Sequence, residues 1–247
     1  MKNSTLPNSF LKDIKPLVLQ GNRFLIINDL HIPYHCKKSI EKAIKYGKSK
    51  KVDSILLNGD IIDFFPISRF NKSPENPNLQ IELNATVQVL QYIRKSFPKA
   101  TIYYKIGNHE DRLSKYINEH SELFSLDCLK LKSLLKFQEL KIRLVDSNTI
   151  MRIGSLFIAH GHETKAGGLT PAKNMLNKWH CDIAFGHLHR TDEFHFRKFD
   201  GSYIKTYSIG CLCNLYPEYW QNNNWNAGAL FVERLKEGKY NAENIRI

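Results

Sequence analysis

The sequence predicts an α/β fold in a single domain, with parallel neighbouring strands in its first half. Three observations predict it. In the first half, short apolar runs alternate with segments whose apolar residues recur at helical spacing. In the second half, short strand-like runs follow one another in quick succession. No internal repeat and no Gly- or Ser-rich linker divides the chain.

The elements follow in order. Residues 1–22 carry no clear pattern and are assigned as a lead-in segment, with the domain expected over 23–247. Arg23–Asn28 is an apolar run bounded by polar residues, the mark of a buried strand. Lys37–Lys48 follows as a helix, with Ile40, Ala43, Ile44 and Gly47 on one face and lysines outside. Val52–Leu57 is a second strand. Leu83, Val87, Leu90, Ile93 and Phe97 are spaced as on a helix, which Pro98 ends, and Thr101–Ile106 is a third strand. Leu123–Leu140 reads as helical. Ile142–Val145, Thr149–Ile153 and Ser155–Ala159 are short strands, then a helix covers Pro171–Trp179. Ile183–Phe185, Phe194–Phe199, Tyr203–Ser208, Ala229–Leu235 and Tyr240–Ile247 complete the strands, and Asp200-Gly201 is a hairpin turn signal. Asn71–Asn78 is a surface loop.

A chain of 247 residues with 42% hydrophobic and 24% charged residues has the composition of an ordinary soluble protein. No apolar run approaches the ~20 residues of a membrane span. Met1–Phe10 lacks the apolar core of a secretory signal, so a cytoplasmic location is expected. Cys36, Cys128, Cys181, Cys211 and Cys213 form no C-x-x-C pair, which points to reduced thiols rather than a disulfide framework or zinc ribbon. The net charge of +12 favours polyanionic partners, although part of it lies on solvated lysine faces such as that of residues 37–51.

The chemistry sits in five clusters, each closing an apolar run: Asp29-Leu30-His31, Gly59-Asp60-Ile61-Ile62-Asp63, Gly107-Asn108-His109-Glu110, His160-Gly161-His162 and Gly186-His187-Leu188-His189. Carboxylate, amide and imidazole are ligand types for hard or borderline divalent metals acting on phosphate. The carboxyl ends of strands are where open α/β sheets bind ligands, so the clusters are expected to converge on one edge.

The series D-x-H, G-D-x-x-D, G-N-H-E, H-G-H and G-H-x-H resembles the calcineurin-like metallophosphoesterases, with all five blocks in that family's order over about residues 23–210. The resemblance implies two stacked mixed sheets flanked by helices, an αββα sandwich. It implies a dinuclear metal centre that hydrolyses phosphate esters through metal-activated water. By position in the motifs, Asp29, His31 and His189 would hold one ion, Asp60 would bridge, and Asn108, His160 and His187 would hold the second. Manganese is the first expectation for the two divalent ions, with iron or zinc as alternatives. His109 would contact phosphate and protonate the leaving oxygen, and Asp63 would support a ligand histidine or His109. Arg69 and Arg112 are candidate phosphate clamps, and His162, like His35, lies beside ligand motifs and is assigned with the arginines to the substrate side.

The substrate is less well marked. Asp63-Phe64-Phe65-Pro66 stands where the protein serine/threonine phosphatases show Arg-Gly, which counts against that branch. Mre11-like nucleases are longer. The chain is more similar to small bacterial or phage-type members. Its basic charge and the aromatic segment Tyr216–Trp225 favour DNA, RNA or a nucleotide as the phosphoester substrate. A broad phosphomonoesterase or protein phosphatase is the alternative activity. A non-catalytic scaffold is the alternative class, against which stands the expected residue type at every ligand position.

Overall fold

The computed structural model describes residues 15–164, 168–217 and 221–247. The first sheet uses β2 (Arg23–Ile27), β3 (Ser54–Asn58), β4 (Thr101–Lys105), β5 (Ile142–Val145), β11 (Gly228–Arg234) and β12 (Tyr240–Arg246) in the order β12-β11-β2-β3-β4-β5. The second uses β1 (Leu17–Val18), β6 (Met151–Ile153), β7 (Leu156–Ala159), β8 (Ile183–Phe185), β9 (Asp192–Arg197) and β10 (Tyr203–Ser208) in the order β1-β6-β7-β8-β10-β9. β2, β3, β4 and β5 are parallel, as alternation with helices requires. The β9–β10 hairpin is antiparallel, and Gly201 at its turn has φ +82°.

The period of two along each strand divides the core into layers. Phe24, Ile26 and Leu56 face Met151, Ile153, Leu156 and Ile158 across the space between the sheets. Their neighbours Leu25, Ile27, Ile55 and Leu57 face outward. There they pack on Ile40, Ala43 and Ile44 of α1 (Lys37–Ser49) and Leu83, Leu90 and Ile93 of α2 (Leu79–Ser96). Met175 packs with Ala159, Ile183 and Phe185 on the outer face of the second sheet. Two mixed six-stranded sheets stacked between helices are the αββα sandwich that the motif series implied. No described helix is long and apolar enough to cross a membrane.

Two segments differ from the sequence expectation. Leu17 and Val18, within the lead-in, pair in parallel with β6, and Leu19 is fully buried behind them. The expected helix over Leu123–Leu140 is absent. The chain instead forms α3 (Asp111–Glu119), short 3-10 turns at Ser121–Leu123 and Asp127–Leu129, and the single turn α4 (Leu131–Leu134), ahead of α5 (Pro171–Trp179). Leu131, Leu135, Phe137 and Leu140 are buried, but Lys136 at φ 55° breaks the helix between them and Lys141 at φ 50° turns the chain just after. Packing these side chains while feeding β5 in parallel beside β4 outweighs their helical spacing.

Glu82 of α2 is fully buried beneath the loop after β3, where Phe65 N donates to its Oε1 at 3.3 Å. Burial, helped by the nearby Asp63 carboxylate, pushes it up to about 8. A native state holding this proton loses stability between the unfolded carboxyl's range and pH 8, because there the unfolded chain binds fewer protons. Glu82→Gln is therefore expected to gain on the wild type progressively from about pH 5 to 8 and to level off above, as urea denaturation across pH would measure.

Candidate metal centre

All five clusters follow strand ends, and the fold brings them to one edge of the stacked sheets: Asp29 after β2, Asp60 after β3, Asn108 after β4, His160 after β7 and His187 after β8. The loops turn at once. Asp29, His31, Asp60, His187 and His189 all take left-handed backbone conformations, with φ from 47° to 67°. That conformation is unfavourable for residues other than glycine and collects at functional sites, where surrounding contacts enforce it. Two glycines make the approach possible. A Cβ on Gly59 would stand 2.4 Å from His160 Nδ1, and one on Gly107 would stand 2.3 Å from Asp60 Oδ1. The glycine that opens each of these motifs is thus a requirement of space.

Asp29 Oδ1 lies 3.5 Å from His189 Nε2 and 3.9 Å from His31 Nε2, and those two nitrogens are 3.1 Å apart. Asp60 Oδ2 lies 3.2 Å from His160 Nε2, 3.9 Å from His109 Nε2 and 4.0 Å from His31 Nε2. Among the groups able to hold an ion are Asp29 with His31 and His189, and Asp60 with His160 and His187. The donor set fits divalent metal on a further ground. Asp29 Oδ1 and Asn108 Oδ1 are buried without a hydrogen-bond partner, a costly state for polar atoms unless a cation engages them.

The outer contacts aim these atoms. His160 Nδ1 donates to Asn58 O at 2.7 Å and His31 Nδ1 to Asp63 Oδ2 at 3.1 Å, which leaves each Nε2 with a lone pair toward the centre. His187 N donates to Asp29 Oδ2 at 2.7 Å, and Asn28 Nδ2 donates to the same oxygen. The Trp225 ring stands edge-on to His189 at 4.1 Å between centroids. Asp63 joins three groups: His31, His109 Nδ1 at 3.5 Å from Oδ1, and Arg112 Nη1 at 3.1 Å from Oδ1. His31, Asp63 and His109 are also close enough to ligate. The guanidinium already on Asp63 opposes a cation there.

Electrostatics separate the histidines. Burial and the neighbouring His160 push His187 down to about 4, and burial with His109 lowers His31, so both are neutral imidazoles at pH 7. Burial works against charge on His160 too, but the Asp60 and Asp29 carboxylates outweigh it and raise it to about 10. A metal must displace that proton, which makes binding compete with acid. Asp60 itself is held well below the usual carboxylate range, despite burial, by His160 and His109.

The remaining sequence candidates lie around this centre. Arg112 Nη2 is 3.1 Å from His109 Nε2, and His109 Nδ1 reaches Asp63 O at 3.0 Å. His162 is half-buried, its ring 5.3 Å from His160 and 6.2 Å from His187. Arg69 is exposed on the loop after β3 and meets the others through Phe70, whose ring lies 5.8 Å from Arg69 Cζ and 6.0 Å from Arg112 Cζ. His35 pairs through its backbone with Cys213 and stays apart from the ligand groups. Of the aromatic segment, Tyr219 and Trp220 lie outside the described residues.

Sequence reasoning passed over the groups that hold the loops. Glu110 is buried and accepts from the backbone N–H of Gly107 at 2.8 Å, Asp60 at 3.0 Å, Ile61 at 2.8 Å and Ile62 at 3.3 Å, and from Tyr104 OH at 2.8 Å. It ties the second and third motifs together. Lys105, fully buried in β4, reaches Glu163 Oε1 at 3.2 Å, and Glu163 accepts from Gly161 N at 2.7 Å. The signals were present as a glutamate after Asn-His, a glutamate after His-Gly-His, and a lysine inside an apolar strand. Glu110→Ala would strand these buried donors and is expected to cost about 3–5 kcal/mol of stability in urea denaturation.

The family model for calcineurin-like phosphoesterases matches residues 22–206. No curated protein matches the sequence. Among solved structures, Vacuolar Protein Sorting 29 from Cryptosporidium parvum is 14% identical over 92% of this chain and 98% of its own, with a TM-score of 0.44. YfcE, a phosphoesterase from E. coli, is 12% identical over 91% of this chain and 99% of its own, with a TM-score of 0.43. Chaetomium thermophilum Vps29 is 14% identical over 91% and 97%, also at 0.43. The family match spans every candidate ligand from Asp29 to His189, and on it this chain belongs to the calcineurin-like phosphoesterases.

Proposed function

We propose that the protein is a metal-dependent hydrolase of phosphate esters, acting on nucleic acid or nucleotides. The observation that carries the hydrolase reading is the pair of buried oxygens without a hydrogen-bond partner, Asp29 Oδ1 and Asn108 Oδ1, gathered with Asp60 and His160 at one sheet edge. Asp29, His31 and His189 would hold one divalent ion, Asn108, His160 and His187 the other, and Asp60 both, with manganese the first candidate. When bound, two such ions supply positive charge for the phosphoryl oxygens and acidify water.

The rest falls to the chain. His109 keeps Nδ1 on Asp63 O, so Nε2, which accepts from Arg112 Nη2 here, is the nitrogen that would carry a proton to the leaving oxygen once protonated and released from that contact. Asp63 orients His31 and His109 together, and Arg112, anchored on Asp63, offers a guanidinium edge to a phosphate. Support for a nucleic-acid or nucleotide substrate comes from the net charge of +12 and from aromatics beside the site. Phe70 is 53% exposed and touched by two guanidinium groups, while Trp225 stands against His189. Such rings stack on bases without regard to sequence.

The test is turnover with manganese on short single-stranded DNA and RNA, 2′,3′-cyclic nucleotides, mononucleotides, a phosphopeptide, and bis- and mono-(nitrophenyl) phosphate. Turnover of the nucleic-acid or nucleotide members is expected, and the two nitrophenyl esters separate diester from monoester chemistry. Efficient turnover of the phosphopeptide alone overturns the substrate assignment. No turnover of any ester by protein carrying two ions overturns the hydrolase reading and favours a scaffold.

A further inference from the structure

β9 is the outermost strand of the second sheet, paired with β10 on one side and with no described strand on the other. Open edges are blunted in stable monomers by proline, lysine, bulges or brevity. The edges at β1 and β5 are two and four residues long, and β12 presents Asn241, Glu243 and Asn244. β9 has neither proline, bulge nor brevity, and its charges, Asp192 and Glu193 at one end and Arg197 at the other, are opposite in sign end to end. Its six residues are unbulged against β10, contain no proline or lysine, and leave Phe196 47% exposed, with Tyr203 53% exposed opposite the strand's end.

The ladder shows which backbone groups are free to pair. Lys198 N donates to Ser202 O at 2.8 Å, and the register then runs without interruption from Arg197↔Tyr203 to Asp192↔Ser208. In an antiparallel pair the bonded positions alternate, so even-numbered residues bond to β10 and Glu193, His195 and Arg197 turn their N–H and C=O outward. The sequence from Asp192 is Asp-Glu-Phe-His-Phe-Arg-Lys, acidic at one end, basic at the other and symmetric in its aromatics about His195.

We propose that this edge pairs antiparallel with β9 of a second copy of the chain, about a two-fold axis through His195. In that register the outward groups of Glu193 meet those of Arg197 of the partner subunit, and His195 meets its own copy. Directly opposed side chains share a face, so the Glu193 carboxylate lies against the guanidinium of Arg197 of the partner subunit, twice by symmetry. On the other face Phe194 lies against Phe196 of the partner subunit, again twice. Other even registers shorten the overlap or lose the charge match. The interface continues the second sheet across two subunits.

Sedimentation velocity and light scattering at about 100 µM should give a dimer. Glu193→Arg or Arg197→Glu alone puts like charges opposite each other twice and should weaken dimerisation by about tenfold or more, while the double reversal restores it. His195→Cys places two thiols across the axis with Cα atoms about 5.5 Å apart, within disulfide range, and should cross-link on mild oxidation. Glu193→Cys should not, being about 13 Å from its own copy. A monomer at that concentration overturns the proposal. So does a dimer indifferent to both single reversals, or one in which the Glu193→Cys variant cross-links as readily as the His195→Cys variant.

Discussion

Asp60→Asn is expected to lower phosphoesterase activity by about 10³-fold or more, and to reduce the divalent metal retained from two ions per chain to one or none. Asp60 Oδ2 stands among His160, His31 and His109 Nε2 at 3.2–4.0 Å, reaching both candidate ligand groups. Its charge would offset repulsion between neighbouring ions, which a neutral amide does not do. Asparagine is the informative replacement because Oδ1 can still accept from His109 N, a bond of 2.9 Å in the native chain, so the loop keeps its shape. Elemental analysis after gel filtration reads metal content, nitrophenyl ester turnover reads activity, and a thermal melt checks the fold. Two ions retained with near-native turnover would remove Asp60 from the bridging position.

The melt matters because the site's residues also organise the fold. Asp60, Ile61 and Ile62 are held through their backbones by Glu110, so the loop that presents the carboxylate has its own anchor. Asp60→Asn leaves that anchor intact, whereas Glu110→Ala removes it. The pair separates loss of charge from loss of position: the first should lose rate and metal while the loop stays anchored, the second should lose the anchor as well.

Much of this arrangement was legible because each motif closes a strand. The apolar runs Arg23–Ile27, Ser54–Asn58 and Thr101–Lys105 are short, β-branched or aromatic, and buried on both faces, so pattern alone locates them. Once strands are parallel, their carboxyl ends share an edge, and the five clusters must meet there. Pattern fails where burial is achieved without regular structure. Leu131, Leu135, Phe137 and Leu140 carry helical spacing yet are buried by turns, since the left-handed Lys136 interrupts the chain between them and Lys141 turns it again after. It also passes over residues whose work is to bind backbone. Glu110 contacts donors in two loops some fifty positions apart in sequence, a relation invisible to any local window. The left-handed conformations of Asp29, His31, Asp60, His187 and His189 leave no compositional mark either, because the strain is carried by candidate ligand side chains where glycine would ordinarily stand.

His109→Ala carries the second large effect, and here the size should depend on the ester. A general acid matters in proportion to how poorly the leaving group departs unprotonated. For nucleotide and alkyl esters, the loss in kcat/KM is expected at about 10²–10⁴-fold. For nitrophenyl esters, whose leaving oxygen departs readily as an anion, the loss should be much smaller. Metal content should be unchanged, since His109 belongs to neither of the two ligand groups that contain Asp29 and Asp60. The pH profile supplies an independent reading. Burial disfavours charge on His109, but Asp60 and Asp63 outweigh it and raise it above the ordinary histidine value. On the proposed role the protonated ring is the donor, so wild-type turnover of the alkyl ester should hold on the acid side of that raised value and fall as pH rises through it. The variant should lack this alkaline limb. Equal losses on both ester classes, or an alkaline limb that survives the substitution, would assign His109 to phosphate binding and leave proton delivery to another group.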